Sequence, residues 1–151
     1  MKKILTTLTF SFFAFFIVSF AGNYDPGKQV YESFKKDFPH AMQVKWQMER
    51  SILQVARFTQ NGRAQLAYYK ENGEFLGQTW LVELNDLPRK VKEEALHTAG
   101  QVDIKSVYIF LPPEGYPYYY ITLESNGKTI IKEIDSNGHS SFVSKKRIPI
   151  I

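Results

Sequence analysis

The 151-residue chain contains no cysteine, which excludes disulfide staples, a thiol nucleophile and the lipoprotein route, with its acylated N-terminus and its need for a thiol at the cleavage point. Its net charge of +4 includes Lys2 and Lys3; without them 17 bases face 15 acids, and that near balance gives no electrostatic footprint for nucleic acid. The 130 residues from Gly22 to Ile151 suffice for one domain that buries about two thirds of the surface its unfolded chain exposes.

Lys2 and Lys3 precede an apolar run from Phe10 to Phe20, and Ser19 and Ala21 occupy the small-residue positions of a signal-peptidase site. The sequence therefore predicts a signal peptide over residues 1–21, cleavage before Gly22 and a mature domain over 22–151. The other reading is an uncleaved anchor, because Ile4 to Ala21 is almost long enough to span a bilayer. The predicted location is periplasmic or secreted, with no membrane insertion after cleavage. The basic run Lys145 to Arg147 reads as a solvated C-terminal flank.

The first helix is expected in "DPGKQVYESFKKDFP": Asp25 as N-cap, Pro26 at the first helical position, an apolar stripe of Val30, Tyr31, Phe34 and Phe38, and Pro39 as a stop. The strand "AMQVKWQM" follows. Asn61-Gly62 and Asn72-Gly73, eleven residues apart, read as two-residue type I′ turns, because both turn positions need positive φ. They join strands near Ile52 to Thr59, Arg63 to Lys70 and Glu74 to Val82. A second helix is expected in "NDLPRKVKEEALHTAG", with Asn85 or Asp86 as cap, Leu87, Val91 and Ala95 on one face and Gly100 at its end. The strand "VDIKSVYIF" comes next, then a longer loop containing Pro112 and Pro113. Asn126-Gly127 and Asn137-Gly138 repeat the eleven-residue spacing, offset by 65 from the first pair. The expectation is an α+β fold of two tandem repeats, about 25–83 and 85–145, each one helix followed by a four-stranded antiparallel sheet.

Cross-strand register assigns faces. One face collects Ile52, Ala56, Phe58, Ala67, Tyr69, Leu76 and Trp80, with Gln54, Gln65 and Gln78 among them, then Tyr119, Ile121, Leu123, Ile130, Ile134 and Val143. Small Ala56 and Ala67 leave room for Phe34 and Phe38, so the helices are expected there. Trp46 and Tyr108 stay unassigned, because one residue more or less in the preceding loop swaps their face. The opposite face carries Leu53, Val55, Arg57, Leu66, Tyr68, Phe75 and Thr79, then Tyr118, Tyr120, Thr122, Ile131, Glu133 and Phe142. An uncovered sheet face is ordinarily polar, so one rich in aromatic and aliphatic side chains marks either an interaction surface or burial against another layer.

The strings "FPHAMQVKW", "VARF", "NGRAQLAYY" and "NGEF", and the "LP" that opens the second helix, resemble the Bacteroidetes exported proteins of the PepSY-like, beta-lactamase-inhibitor-like group, from about Val30 to Val143. The resemblance implies that the sheets of the two helix-plus-four-strand units join into one curved, saddle-like surface. In the beta-lactamase inhibitor protein the concave sheet grips an enzyme through aromatic residues, and PepSY domains are similarly linked to the restraint of secreted peptidases. The inhibitor has disulfides and this chain has none, so the likeness bears on fold rather than on lactamase binding.

Catalytic patterns are missing from the sequence. His40, His97 and His139 lack zinc-ligand spacing, there is no Gly-x-Ser-x-Gly elbow, and Glu93 and Glu94 are adjacent on a helix and point different ways. No enzyme, cofactor or metal is expected. The expected function is a non-catalytic module that binds an unidentified protein or peptide of the cell envelope, with inhibition of it left open, using Arg57, Leu66, Tyr68, Phe75, Tyr118, Tyr120, Glu133 and Phe142. The alternative is an envelope-associated structural protein whose apolar face is buried by self-assembly. A third reading has the stretch Pro112 to Tyr120 stack on glycan.

Overall fold

The computed structural model describes residues 24–49 and 52–147, with the side chains of 145–147 left aside; the expected signal peptide and the Lys145 to Arg147 side chains lie outside what is described. Helix α1 (Lys28–Asp37) is followed by strands β1 (Met42–Glu49), β2 (Leu53–Gln60), β3 (Arg63–Lys70) and β4 (Phe75–Val82). A 3-10 turn at Leu84–Asp86 leads into α2 (Arg89–Ala99), and β5 (Ile104–Leu111), β6 (Tyr118–Ser125), β7 (Lys128–Ile134) and β8 (Ser140–Arg147) complete the described chain. α1 starts later than expected, with Gly27 rather than Asp25 as its N-cap and no side-chain capping bond.

All eight strands form one antiparallel sheet in chain order. This corrects the expected α+β pair of tandem helix-plus-four-strand units: the molecule is mostly β, a single eight-stranded sheet with two helices. The overturning contact is the β4–β5 ladder, Gln78 opposite Leu111 through Val82 opposite Val107. The helical connection returns the chain antiparallel to β4, where backbone donors and acceptors of the two strands satisfy each other, so no sheet edge is left in the middle.

Both helices pack on the same side of the sheet. Under α1, Val30, Phe34 and Phe38 meet Trp46, Ala56, Phe58, Ala67 and Tyr69. The Phe34 ring stands edge-on to Trp46 and Phe58 at 5.1 and 5.2 Å, and Tyr69 Oη donates to Asp37 Oδ2 at 2.9 Å. Under α2 the filling is aliphatic: Leu87, Val91, Ala95 and Ala99 cover Val107, Ile121, Leu123 and Ile134, with Tyr119 the one aromatic ring. Of the expected α1 stripe, Tyr31 turns outward, and Ile52 lies outside β2, exposed.

Two of the four Asn-Gly pairs form the expected turn. Asn61 and Gly62, and Asn126 and Gly127, all have positive φ, and the two-residue loops hold β2–β3 and β6–β7 in uninterrupted register. At the other two pairs only the glycine is left-handed. There Gly73 N donates to Lys70 O and Lys70 N to Glu74 O, and Gly138 N donates to Asp135 O and Asp135 N to His139 O, which makes three-residue loops. Each glycine sits against a helix: a Cβ on Gly73 would stand 2.9 Å from Gln29 O, and one on Gly138 would stand 3.1 Å from Lys90 O.

The longer loops shift the register by one residue until a bulge restores it, at Leu76 on β4 opposite Tyr68 and Tyr69, and at Val143 on β8 opposite Ile131 and Lys132. Side chains inside the shifted stretches change face. Phe75, opposite Tyr69, packs beneath α1, and Leu76 moves to the other side. Phe142, opposite Lys132, comes onto the helix side of the register, while Val143 crosses to the other side. The expected faces of all four are thereby corrected.

Candidate functional site

The side of the sheet without helices is built from two side-chain clusters. Leu53, Val55 and Tyr68, with Leu66 and Leu76, form one; Tyr120 and Ile131, with Tyr108 and Val143, form the other, and Phe110 belongs to both. Strand pairing lays Arg57, Leu66, Thr79, Phe110 and Tyr118 in one row from β2 to β6, and Leu81, Tyr108, Tyr120 and Glu133 in the neighbouring row.

Among the described residues no helix covers this side, yet Val55 is fully buried and Tyr68 is only 1% exposed. Packing of Leu53, Val55 and Tyr68 against Leu66, Leu76 and Phe110 of the same sheet fits a twisted sheet whose concave surface lets side chains close over one another. Gly77 makes the fit possible. It is opposite Tyr68, and a Cβ there would lie 2.6 Å from Phe110 Cζ and 2.7 Å from Leu111 O, so the Phe110 ring occupies the space a side chain would take. The Tyr68 and Phe110 rings are 6.3 Å apart.

The floor is held by buried phenols. Tyr120 Oη donates to Glu133 Oε2 at 2.5 Å. Burial raises the Tyr120 phenol, and the bond to Glu133 adds to the shift, because an ionised phenolate would lose its role as donor and face a carboxylate. Burial likewise raises Tyr68, with Glu49, Tyr120 and Tyr108 contributing. The Tyr68 and Tyr120 phenols of the floor are thus uncharged hydrogen-bonding groups at physiological pH. Its rim is different: Tyr118 and Leu81 are 39% and 52% exposed.

Of the residues expected to form a site, Arg57, Leu66, Tyr68, Tyr118, Tyr120 and Glu133 share this concave side, and Phe75 and Phe142 do not. Tyr68 and Tyr120 are enclosed, whereas Tyr118 and Arg57 reach solvent. Sequence reasoning missed Tyr108 and Phe110, whose alternation with Val107 and Ile109 in "VYIF" gave the pattern but not the face. A bulge at Ile104/Ser106 sets β5, and another at Met42/Lys45 sets β1, so Tyr108 faces the concave side while Trp46 goes beneath α1. Among the described residues no group of three or more His, Asp or Glu could hold a metal ion, and no helix is long and apolar enough to cross a membrane.

Solved structures share this arrangement. A DUF2874 family protein from Bacteroides ovatus superposes with a TM-score of 0.72 at 17% identity, over 82% of this chain and 89% of that one. A BLIP-like protein from Bacteroides fragilis gives 0.70 at 20% identity, over 85% and 91%. The chain has a BLIP-like fold. A protein from Bacteroides eggerthii, assigned provisionally to the periplasm, gives 0.70 at 19% identity, over 82% and 89%. No protein-family model matches the sequence, and no curated protein matches it. The shared BLIP-like fold is a matter of backbone, since identities this low leave the concave side chains to be read in this chain alone.

Proposed function

We propose that this protein is an exported, non-catalytic binding module that seats a protein or peptide partner in its concave trough and restrains it there. One observation carries the reading: a continuous aromatic and aliphatic surface with a buried, hydrogen-bonded floor and an exposed rim of Leu81 and Tyr118, on the side that neither described helix covers. A floor locked by packing presents its rim at little entropic cost, which favours tight docking. The BLIP-like neighbour supports a binding module over an enzyme. Export rests on the leader reading at residues 1–21 and on the provisionally periplasmic neighbour.

Affinity capture from the envelope fraction of the source cells tests the proposal. The double variant Leu81→Asp, Tyr118→Asp retains the thermal transition, because both side chains are exposed, and loses the captured partner. Unchanged capture would reject the trough as the docking surface. Tyr68 and Tyr120 are unsuitable for this test, since truncating either opens the core.

A further inference from the structure

On the helix side of the sheet, the cluster beneath α1 takes only Phe75 from β4, and the cluster beneath α2 takes only Val82. Between those two ends β4 presents Gln78, opposite Ala67 and Leu111, and Trp80, opposite Gln65 and Ile109. Gln65, Gln78, Trp80 and Leu111 are all half-buried, and none of them belongs to either cluster. Amides are out of place on a side that buries a core. Gln78 Oε1 is shielded from water without a hydrogen-bond donor among the described residues, and so is Oε1 of Gln60, whose backbone carbonyl accepts from Gln65 Nε2 at 3.5 Å. Shielded polar atoms without a partner are few in a native fold, and each calls for a cause. Arg63, opposite Gln60 and exposed, lays its guanidinium over the Trp80 ring, 5.5 Å from the ring centre.

We propose that this strip between the two helices is a saccharide-binding site, on the opposite side of the sheet from the trough and independent of it. A pyranose has apolar C–H faces and a girdle of hydroxyls, each of them donor and acceptor. The Trp80 indole offers the flat apolar partner for such a face, and Gln60, Gln65 and Gln78 surround it with amides for the hydroxyls. A half-turn of the Gln60 and Gln78 amides brings their oxygens outward, where hydroxyl donors supply the missing bonds. The sugar takes the place of Arg63 on the ring, and the displaced guanidinium adds charged donors along the same edge. An apolar peptide side chain would instead strand those polar atoms, which favours a hydroxylated ligand.

An array of neutral and acidic oligosaccharides probed with the purified protein tests this, followed by calorimetric titration of the tightest binder. That saccharide is expected to shift the tryptophan fluorescence and to bind about tenfold more weakly to Trp80→Ala protein. Gln78→Leu, and Arg63→Ala at its exposed position, should each weaken it about fivefold while the melting temperature holds. If Trp80→Ala melts early, those two variants decide. The double variant Leu81→Asp, Tyr118→Asp, altered on the other side of the sheet, should bind the saccharide unchanged, so this site and the trough fail separately. Saccharide binding that survives both Gln78→Leu and Arg63→Ala, or that is lost in the double variant, overturns the assignment to this strip. An array without a binder, or phage-selected peptides that need Trp80, overturns the saccharide chemistry.

Discussion

The two sides of the sheet bury side chains by different means. Under α1 and α2 each buried side chain meets a helix, as Phe58 meets Phe38 with ring centroids 4.7 Å apart. On the concave side Val55, Tyr68 and Ile131 are buried to a similar degree by neighbours on their own sheet. Covered burial depends on which residues line up along a helix. Concave burial depends on curvature, and so on a few backbone positions that set it.

That difference can be broken deliberately. Phe34→Ala removes the ring at the centre of the α1 cluster and should cost about 4 kcal/mol by urea denaturation. Gly77→Ala adds one methyl to the concave side, into Phe110 and at φ 137°, and should cost about 2 kcal/mol while near-ultraviolet circular dichroism reports displaced tyrosines. If the alanine is tolerated freely, Phe110 does not lock the trough.

Alkali gives a smaller effect that reaches both sides. Tyr69 beneath α1, and Tyr68 and Tyr120 in the trough, are all raised above the ordinary phenol value, chiefly by burial. A raised folded value contributes stability that is complete below about pH 10, the unfolded value, and is lost as pH climbs past it. The urea midpoint should therefore fall above pH 10, with phenolate absorbance at 295 nm arriving together with unfolding for these rings. Tyr120→Phe should soften the fall and, by unmooring Glu133, loosen the trough alone. Equal ionisation of every tyrosine before unfolding would contradict the enclosed floor.

The smallest effect belongs to the turn that sets the β8 register. Asp135 is lowered, first by the His139 backbone N–H, with the His139 side chain and the Asn137 N–H assisting. A lowered folded value contributes above about pH 3.9 and is lost as pH falls through it. Asp135→Asn should cost under about 1 kcal/mol at neutral pH, discounted for the carboxylate's exposure, and flatten the acid limb of the stability curve below pH 4.

How far the sequence could be read follows from which interactions are local. Strand positions and the Asn61-Gly62 and Asn126-Gly127 turns were legible, because alternation and positive φ at Asn act within a few residues. The other two Asn-Gly pairs were not, since Gly73 and Gly138 are placed by contact with Gln29 and Lys90, more than forty residues away in each case. Missing that one extra loop residue put Phe75, Leu76, Phe142 and Val143 on the wrong sides. That the two sheets join was implied by the family resemblance alone, and the β4–β5 register was not legible, because strand partners joined through a helix carry no short-range signature. Of the candidate site, Tyr118, Tyr120, Leu66 and Arg57 were legible from period two, while Phe110 needed the gap at Gly77 to be seen.

The bulge between Met42 and Lys45, where Gln43 kinks the chain at φ 55°, has another consequence, for solubility. An open sheet ends in two rows of unused amide and carbonyl groups, and a straight outer strand invites a neighbouring molecule to add its own. Because Gln43 turns the chain out of line, an intruder is offered only the short stretch from Lys45 to Glu49, too little to seed a growing fibre. The kink thereby blunts the β1 edge against the addition of a further strand.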